Sequence, residues 1–419
     1  MTSLAVLSDA PALCGQDRLQ FSRYVDPLVS LLASPDSHTP FTIGVLGAWG
    51  SGKSSVLTMV DERLRERNED AFLPVHFNPW VHRREPNLIQ PLLRALRDAM
   101  TADRAKRFQS AALKITSIIG TLAADTLLSA VTAGRVTVDK LDAASAQYAK
   151  ARNDVGSELS NLRTVLRDEL AGLDNQGIRA VIFIDDLDRC EPDQVIDLLE
   201  SIKLFLDVPG VFVLMALSKE LVDRAVAMKY RDFGFAQEDL VDLGDEYLEK
   251  MIQLPLYLLP LDNRGVRTLL SELADPQLFD EHGDLLEKIL LPNPRKIKRV
   301  LNLLAFTTSM VARTPGLAGL NRDLLVRLTT LRVQTPRLFS AVLADPDILV
   351  ILELIYAGKL EASEGALRTH FRERGPGLYR AIEPHYRRQA YLEPLFTTSD
   401  FGSEQARLAD HLTLFGGQP

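Results

Sequence analysis

Residues 47–54 read GAWGSGKS, the complete G-x-x-x-x-G-K-S pattern of a phosphate-binding loop. An apolar run at 41–46 precedes the pattern and a helix-forming run follows it, which is the strand–loop–helix context that the pattern requires. Glycines let backbone N–H groups turn towards a phosphate, and the helix N-terminus adds positive potential. We predict that Lys53 contacts the β- and γ-phosphates and that Ser54 holds Mg²⁺. The predicted binding residues are Gly47, Trp49, Gly50, Ser51, Gly52, Lys53, Ser54 and Ser55.

Three carboxylates follow a second apolar run, residues 180–184, whose unbroken hydrophobicity is typical of a parallel strand buried on both faces. A carboxylate at the end of such a strand holds Mg²⁺ in phosphoryl-transfer enzymes, so Asp185 is the second predicted metal residue. Asp186 is the predicted catalytic residue that orients or deprotonates the attacking water. Asp188 is the alternative for that role, and it also suits a helix N-cap.

Three further side chains near these motifs each have two interpretations. Arg189 either pairs with the preceding acids or contacts the nucleotide. Ser218 follows the apolar run 211–217, where a polar residue can sense the γ-phosphate, but serine also favours the N-cap of a following helix. Trp80 is expected to pack under the sheet, with direct nucleotide contact as the alternative.

A basic segment, residues 291–299, opens a helix with four cations in its first turns. Cations at a helix N-terminus oppose the helix dipole, so we predict an anionic group nearby. A nucleotide phosphate is the simplest candidate for this anionic group. Arg295 is its first predicted contact, and Lys298 and Arg299 are the next candidates. Alternatively, these basic side chains face solvent or pair with the acidic stretch 232–249. Contact with nucleic acid is a further possibility.

The order of predicted elements indicates an α/β fold, with a parallel-sheet P-loop NTPase core, a helical insertion and a helical C-terminal domain. The two halves of the core are assigned to 16–102 and 176–260. Residues 103–175 are Ala-rich and helical by propensity, and they form the predicted insertion. From 261 to 419 helical periodicity dominates, which predicts the C-terminal lid domain.

The composition is that of an ordinary globular protein, with 46% apolar and 25% charged residues and a net charge of −8. Two cysteines fit a reducing compartment, and the first residues lack the basic and apolar regions of a secretory signal. We therefore predict a cytoplasmic protein. Residues 113–136 are long enough to span a membrane, but Lys114 and Asp125 argue against that location.

Five sequence blocks follow one another along the chain: GAWGSGKS (47–54), FNPW (77–80), IDDLDRCEP (184–192), YLEKMIQLP (247–255) and NPRKIKRVLN (293–302). Together they resemble the motifs of the KAP family of P-loop NTPases, within the AAA+/STAND group. The resemblance implies ATP binding and hydrolysis with Mg²⁺, and a sensor arginine in the helical domain, here Arg295. It also implies a role in bacterial phage defence or signalling. Ser218 stands where the family usually has Asp, and Lys250 falls where ring ATPases insert a basic residue into a neighbour's site.

The first functional hypothesis is a Mg²⁺-dependent ATPase that acts as a conformational switch, with a protein partner or its own copies in an oligomer. A non-hydrolysing nucleotide-dependent scaffold and a DNA-associated motor are the alternatives, and a P-loop kinase is disfavoured because no acceptor motif is visible. No nuclease, deaminase or protease constellation is evident in the sequence, so we expect any effector activity in another chain. The preference for ATP over GTP depends on the family resemblance and on the lack of a guanine-reading motif.

Overall fold

The computed structural model describes residues 6–85, 87–100, 164, 167–230, 237–314, 317, 319–386 and 391–416. The chain divides into two compact units, an α/β unit of Pro11–Leu258 and a helical unit of Met1–Ala10 with Leu259–Pro419. Most of the predicted insertion, with the apolar stretch 113–136, lies outside the described residues.

The α/β unit is built on a five-stranded parallel sheet in the order β2-β3-β4-β1-β5. This arrangement confirms the predicted fold class. The strand β5 was not predicted, because its four residues are short and only half buried. The strands are β1 (Phe41–Leu46), β2 (Phe72–Phe77), β3 (Arg179–Ile184), β4 (Val211–Leu217) and β5 (Leu254–Tyr257).

Helices cover both faces of this sheet, and the central strands are apolar throughout for that reason. Val45 on β1 and Phe183 on β3 point to one side, where they pack with α1 and α2. Ile184 on β3 and Leu217 on β4 point to the other side and pack with α3, α4 and α5. The helices of this unit whose two ends are described are α1 (Ser22–Ala33), α2 (Lys53–Asn68), α3 (Ile89–Ala99), α4 (Pro192–Phe205), α5 (Lys219–Tyr230) and α6 (Gln237–Met251).

The helical unit carries ten helices among its described residues. Several begin at a side chain that accepts from the first turn, such as Asp262, Asp275 and Asn293. In the parts of the chain that the structure describes, no helix combines the length and the hydropathy needed to cross a bilayer. The helices are α7 (Asn263–Leu273), α8 (Pro276–Ile289), α9 (Pro294–Arg313), α10 (Arg322–Gln334), α11 (Pro336–Ala344), α12 (Asp347–Tyr356), α13 (Glu364–Phe371), α14 (Gly375–Tyr386), α15 (Leu392–Thr397) and α16 (Leu408–Thr413).

Candidate nucleotide site

The carboxyl ends of four neighbouring strands meet at one edge of the sheet. The glycine loop follows β1, Asn78 follows β2, Asp185 follows β3 and Ser218 follows β4. Parallel strands of an open α/β sheet bind ligands at this edge. The strand order therefore brings together motifs that lie up to 170 residues apart in the sequence.

The glycine loop has a backbone that only glycine adopts readily at its turning points. Gly50 and Gly52 have φ values of 83° and 103°, in the left-handed region. A Cβ on Gly52 would also lie 2.2 Å from the ring of Phe21, so the loop passes directly over the first turn of α1. This close approach fixes the turn that aims the following residues, Lys53 and Ser54, from the start of α2.

Lys53 is buried and its ammonium group lies inside the loop. It donates to the carbonyls of Gly47 at 2.9 Å and Ala48 at 3.2 Å, and it lies 3.8 Å from Oδ2 of Asp188. An ammonium group carries three N–H donors on a flexible stem, so it can exchange carbonyl partners for phosphate oxygens. The sequence-predicted lysine is thus next to the acid cluster.

Ser54 and Asp185, the two predicted metal residues, contact each other directly. The Ser54 hydroxyl donates to the Asp185 carboxylate. Burial raises the pKa of the Asp185 carboxyl, and the neighbouring carboxylates of Asp186 and Asp188 also raise it. The hydrogen bond from Ser54 acts in the opposite direction and lowers this pKa. A buried carboxylate with a raised pKa favours any cation that restores its charge balance.

Asp186 has an unusual backbone and two bound oxygens. Its φ of 58° lies in the left-handed region, which costs a non-glycine residue free energy unless its surroundings hold it there. Asn78 Nδ2 donates to Oδ2 at 2.9 Å, and Arg189 Nε lies 2.8 Å from Oδ1. Arg189 therefore pairs with the acids, which was one of its two interpretations. Both carboxylate oxygens of the predicted catalytic residue are engaged.

The structure does not support the helix-cap role of Asp188 or the packing of Trp80 under the sheet, and it favours the helix-cap role of Ser218. Asp188 caps neither following helix, because Asp186 and Glu191 hold those N-cap positions. Ser218 Oγ accepts from the Leu221 N–H at 3.2 Å, so this serine caps α5. Trp80 does not pack under the sheet, because it is 37% exposed on a single 3₁₀ turn.

The remaining loop residues have varied surroundings. Trp49 is 60% exposed at the rim of the loop. The Oγ of Ser51 is buried and has no hydrogen-bond partner within the described residues. Such an orphaned buried oxygen calls for a ligand or a water, and a phosphate oxygen would satisfy it. Ser55 Oγ accepts from the Ala12 N–H at 3.0 Å, so this hydroxyl supports the chain segment that precedes α1.

The donor set fits a magnesium ion that is shared with phosphates. Among the described residues, no group of three His, Cys, Asp or Glu side chains is arranged to hold a metal ion. Mg²⁺ is usually held by one or two protein oxygens together with substrate phosphates and waters. The Ser54 hydroxyl and the Asp185 carboxylate are a set of that kind.

The basic start of α9 belongs to the helical unit and has partners there. The guanidinium groups of Arg295 and Arg299 lie 3.5 Å and 3.7 Å from Oδ2 of Asp9. Lys298 Nζ donates to the carbonyl of Ser8 at 2.9 Å. The predicted anionic neighbour is present, but it is a carboxylate of the chain itself. Burial lowers the pKa of Lys296, which lies in the same helical turn.

The segment that supplies this carboxylate is held along α9. Asn302 both accepts from the Leu7 N–H and donates to the Leu7 carbonyl, each at 2.8 Å. Leu7 also lines a cavity of about 630 Å³ among helices α7 to α10. We call residues 7–9 the arm. Sequence reasoning assigned no role to the arm, because three irregular residues carry no periodic signal.

The family model of the KAP family P-loop domain matches residues 21–311. The chain belongs to the KAP family. This match covers the glycine loop, residues 185–189, which we call the acid turn, and nearly all of α9. It supports nucleotide binding as the common property of the family, and it confirms the resemblance that the five sequence blocks indicated.

Two curated proteins are similar to this KAP chain. The phage T7 exclusion protein of Escherichia coli (strain K12) is 23% identical over 277 residues, which are 60% of this chain and 34% of that protein. The chain thus spans about a third of the length of that relative. The uncharacterised protein MJ0182 of Methanocaldococcus jannaschii is 23% identical over 174 residues, 35% of this chain and 89% of the other.

Matches among solved structures have low sequence identity and TM-scores below 0.5. The Aeropyrum pernix ORC2 protein, in its ADPNP–ADP complexes, matches with 14% identity and a TM-score of 0.39 over 95% of this chain and 85% of that one. The Cdc6p of Pyrobaculum aerophilum matches with 11% identity and a TM-score of 0.40 over 96% and 91%.

Sequence reasoning missed the contribution of Asn78. The block FNPW was noticed as a pattern, yet nothing in it shows that the amide reaches the acid turn. The signal is the position of a polar residue directly after a strand. Because β2 pairs with β3, Asn78 and Asp185 occupy successive strand ends.

Proposed function

We propose that this KAP protein binds and hydrolyses ATP with Mg²⁺ and acts as a conformational switch. The observation that supports the proposal most strongly is the contact between the Ser54 hydroxyl and the Asp185 carboxylate, with Lys53 beside Asp188 at 3.8 Å. Bound ATP supplies a labile phosphoryl group, and Mg²⁺ offsets the negative charge that develops on it.

Each residue of the site has a proposed role. Lys53 and the glycine-loop amides hold the phosphates, while Ser54 and Asp185 hold the metal ion. Asp186 orients the attacking water or takes its proton, with Asp188 as the alternative. In the helical unit Arg295 is the proposed sensor of the phosphates, since a guanidinium group can bind two oxygens at once.

The decisive experiment compares Lys53→Ala and Asp186→Asn with the wild-type chain. Lys53→Ala is expected to weaken ATP binding about 10- to 100-fold, since it removes charged hydrogen bonds. Asp186→Asn is expected to keep ATP binding and to lose turnover about 100-fold or more. Equilibrium binding of a fluorescent ATP analogue and phosphate release measure the two effects. Turnover that persists in purified Lys53→Ala rules out this site.

Asp188→Asn separates the two candidates for the water-activating group. If Asp186 has that role, Asp188→Asn alters ATP affinity through Lys53 and leaves phosphate release largely intact. The reverse pattern, with Asp186→Asn active and Asp188→Asn inactive, assigns the role to Asp188.

A second candidate function is a nucleotide-dependent scaffold that does not hydrolyse ATP. The engagement of both Asp186 oxygens by Asn78 and Arg189 favours it, because fewer positions then remain at which the carboxylate can accept from an attacking water. Thermal stabilisation by ATP without phosphate release would support the scaffold. A DNA-associated motor is the further alternative, and turnover that duplex or single-stranded DNA does not stimulate argues against it.

The likeness to the phage T7 exclusion protein supports a role in bacterial phage defence, with a protein partner or self-association as the output. Plaque counts of phage T7 on cells that express the wild-type chain or Lys53→Ala test this role. A nucleotide-dependent defence requires protection by the first and none by the second. The particle mass with and without ATP tests self-association.

A further inference from the structure

The block FNPW at residues 77–80 has no role in the proposed chemistry so far, yet it lies against the acid turn. Asp185 N donates to the carbonyl of Phe77 at 3.2 Å, which extends the β2–β3 ladder by one bond. Asn78 Nδ2 donates to Asp186, and its Oδ1 accepts from the Trp80 N–H at 3.1 Å. Hydrogen bonds from the backbone and from a side chain therefore connect the block to Asp185 and Asp186.

The indole of Trp80 provides the second connection. The guanidinium carbon of Arg189 lies 5.2 Å from the centre of the Trp80 ring, within the range of a cation–π contact. The same guanidinium group pairs with Oδ1 of Asp186 at 2.8 Å. Because Arg189 is planar, it can lie on the ring while its Nε stays directed at the carboxylate.

The Trp80 side chain is itself held from outside the acid turn. The guanidinium carbon of Arg83 lies 4.9 Å from the ring centre, and Arg83 NH1 donates to the Trp80 carbonyl at 3.4 Å. Gln194 Nε2, on the first turn of α4, donates to the Arg83 carbonyl at 2.9 Å. The ring is thus fixed between the 3₁₀ turn and the helix that follows the acids.

We propose that Trp80 and Arg189, together with Asn78, are positioning residues that hold the Asp186 carboxylate in its left-handed turn. The inference depends on the proposed ATPase function. It explains two otherwise unrelated facts, the positive φ of Asp186 and a tryptophan that is 37% exposed. An aspartate keeps a left-handed backbone conformation where surrounding contacts hold it there. Here the side chains of Asn78 and Arg189 bind the two carboxylate oxygens of Asp186.

The test compares ring-preserving and ring-removing substitutions in the 419-residue chain. Trp80→Leu keeps an apolar side chain but removes the π face, and we expect kcat for phosphate release to fall about tenfold, since small misplacements of a catalytic group are costly. KM and ATP affinity are expected to stay within about twofold, because Trp80 does not face the phosphates in this proposal. Trp80→Phe keeps a cation–π face and is expected to stay within about threefold of wild type.

The matched control is Val81→Ala, at an exposed neighbour on the same turn, which should behave as wild type. Asn78→Asp is the complementary variant, because it replaces the donor to Asp186 by an oxygen, and it should lower kcat at least as much as Trp80→Leu. Equal kcat in Trp80→Leu and Trp80→Phe would overturn the proposal, since packing alone would then account for the ring. A rise in KM with kcat unchanged would overturn it as well.

A second readout does not need turnover. The chain has two tryptophans, so Trp49→Phe leaves Trp80 as the sole reporter. Arg189→Ala and Asp186→Asn should each shift the Trp80 emission, and an unchanged spectrum in both would overturn the contact. If the wild-type chain releases no phosphate, the ATPase proposal fails by itself, and the emission of Trp80 then decides whether the positioning contacts exist.

Discussion

The acid turn at residues 185–189 and the basic start of α9 at residues 295–299 carry opposite charges, and their charges are balanced in different ways. The acid turn is surrounded by Lys53, Ser54 and Asn78, which belong to motifs on neighbouring strands. The basic start is balanced by Asp9 and by a carbonyl of the arm.

The difference shows how each cluster can respond to a ligand. The carboxylates of the acid turn are half-buried and each contacts other side chains, so the geometry of the turn is set before a nucleotide arrives. The pairs of Arg295 and Arg299 with Asp9 are at least partly exposed, and such pairs contribute about 1 kcal/mol or less. A phosphate can therefore compete for the basic start at little cost, while the acid turn offers a fixed site for a cation.

Asp185→Asn should have the largest effect on this comparison. A carboxyl whose pKa is raised in the folded chain stabilises the fold when protonated, and that contribution is lost as the pH rises through the folded-state pKa. Above its folded-state pKa the ionised Asp185 therefore destabilises the fold, and in that pH range Asn should raise the melting temperature without Mg²⁺. Turnover should fall about 100-fold or more because a metal ligand is lost.

Asp197→Asn is the matched control, because burial also raises the pKa of that carboxyl, on α4. It should leave turnover and the added stability from Mg²⁺ with ATP unchanged. Thermal melts of the three chains with and without Mg²⁺ and ATP make the comparison. A Mg²⁺-dependent stabilisation that survives in Asp185→Asn would show that the acid turn does not hold the cation.

Asp9→Asn should have an intermediate effect and tests the basic start. If a phosphate binds Arg295, removal of the competing carboxylate should tighten ATP binding about two- to fivefold at low salt. The gain should vanish at high ionic strength, because exposed charges are screened. Asp36→Asn removes the same charge from an exposed turn and should leave the affinity as it is. Identical affinities for Asp9→Asn and wild type would remove Arg295 from the site.

Asn302→Ala should have the smallest effect, because it releases the arm without changing any charge. Two hydrogen bonds to Leu7 are lost, which should lower the free energy of unfolding by about 1 kcal/mol. Limited proteolysis should cut near the arm faster than in wild type. Phe306→Ala, at an exposed position on the same helix, is the control, and equal cleavage rates in both variants would contradict the docked arm.

The glycine loop and the acid turn could be predicted because their information is local. The phosphate loop needs glycine where φ is positive, and Gly52 shows that requirement directly. The acids end a run that is apolar on both faces, so both the strand and its edge are visible in the sequence. The strand β5 is short and was not predicted. Helices beyond residue 360 were expected only as part of a helical domain over 261–419, because they are too short or too weakly periodic to be recognised individually.

The roles of Ser218 and Trp80 could not be decided from residue type. Serine after a strand suits a sensor and a helix cap equally well, and only the hydrogen bond to Leu221 favours the cap. Tryptophan is more often buried than exposed, yet here the two arginine side chains at its ring keep it at the surface.

The sequence by itself determined that a phosphate loop and an acid-tipped strand share one parallel sheet, because glycine spacing and unbroken hydrophobicity are properties of short segments. The tertiary structure decided which side chains complete those motifs. Asn78 and Trp80 reach the acid turn, and Asp9 reaches Arg295, across long stretches of chain. Such contacts depend on how distant segments fold together, and no period or spacing in the sequence encodes them.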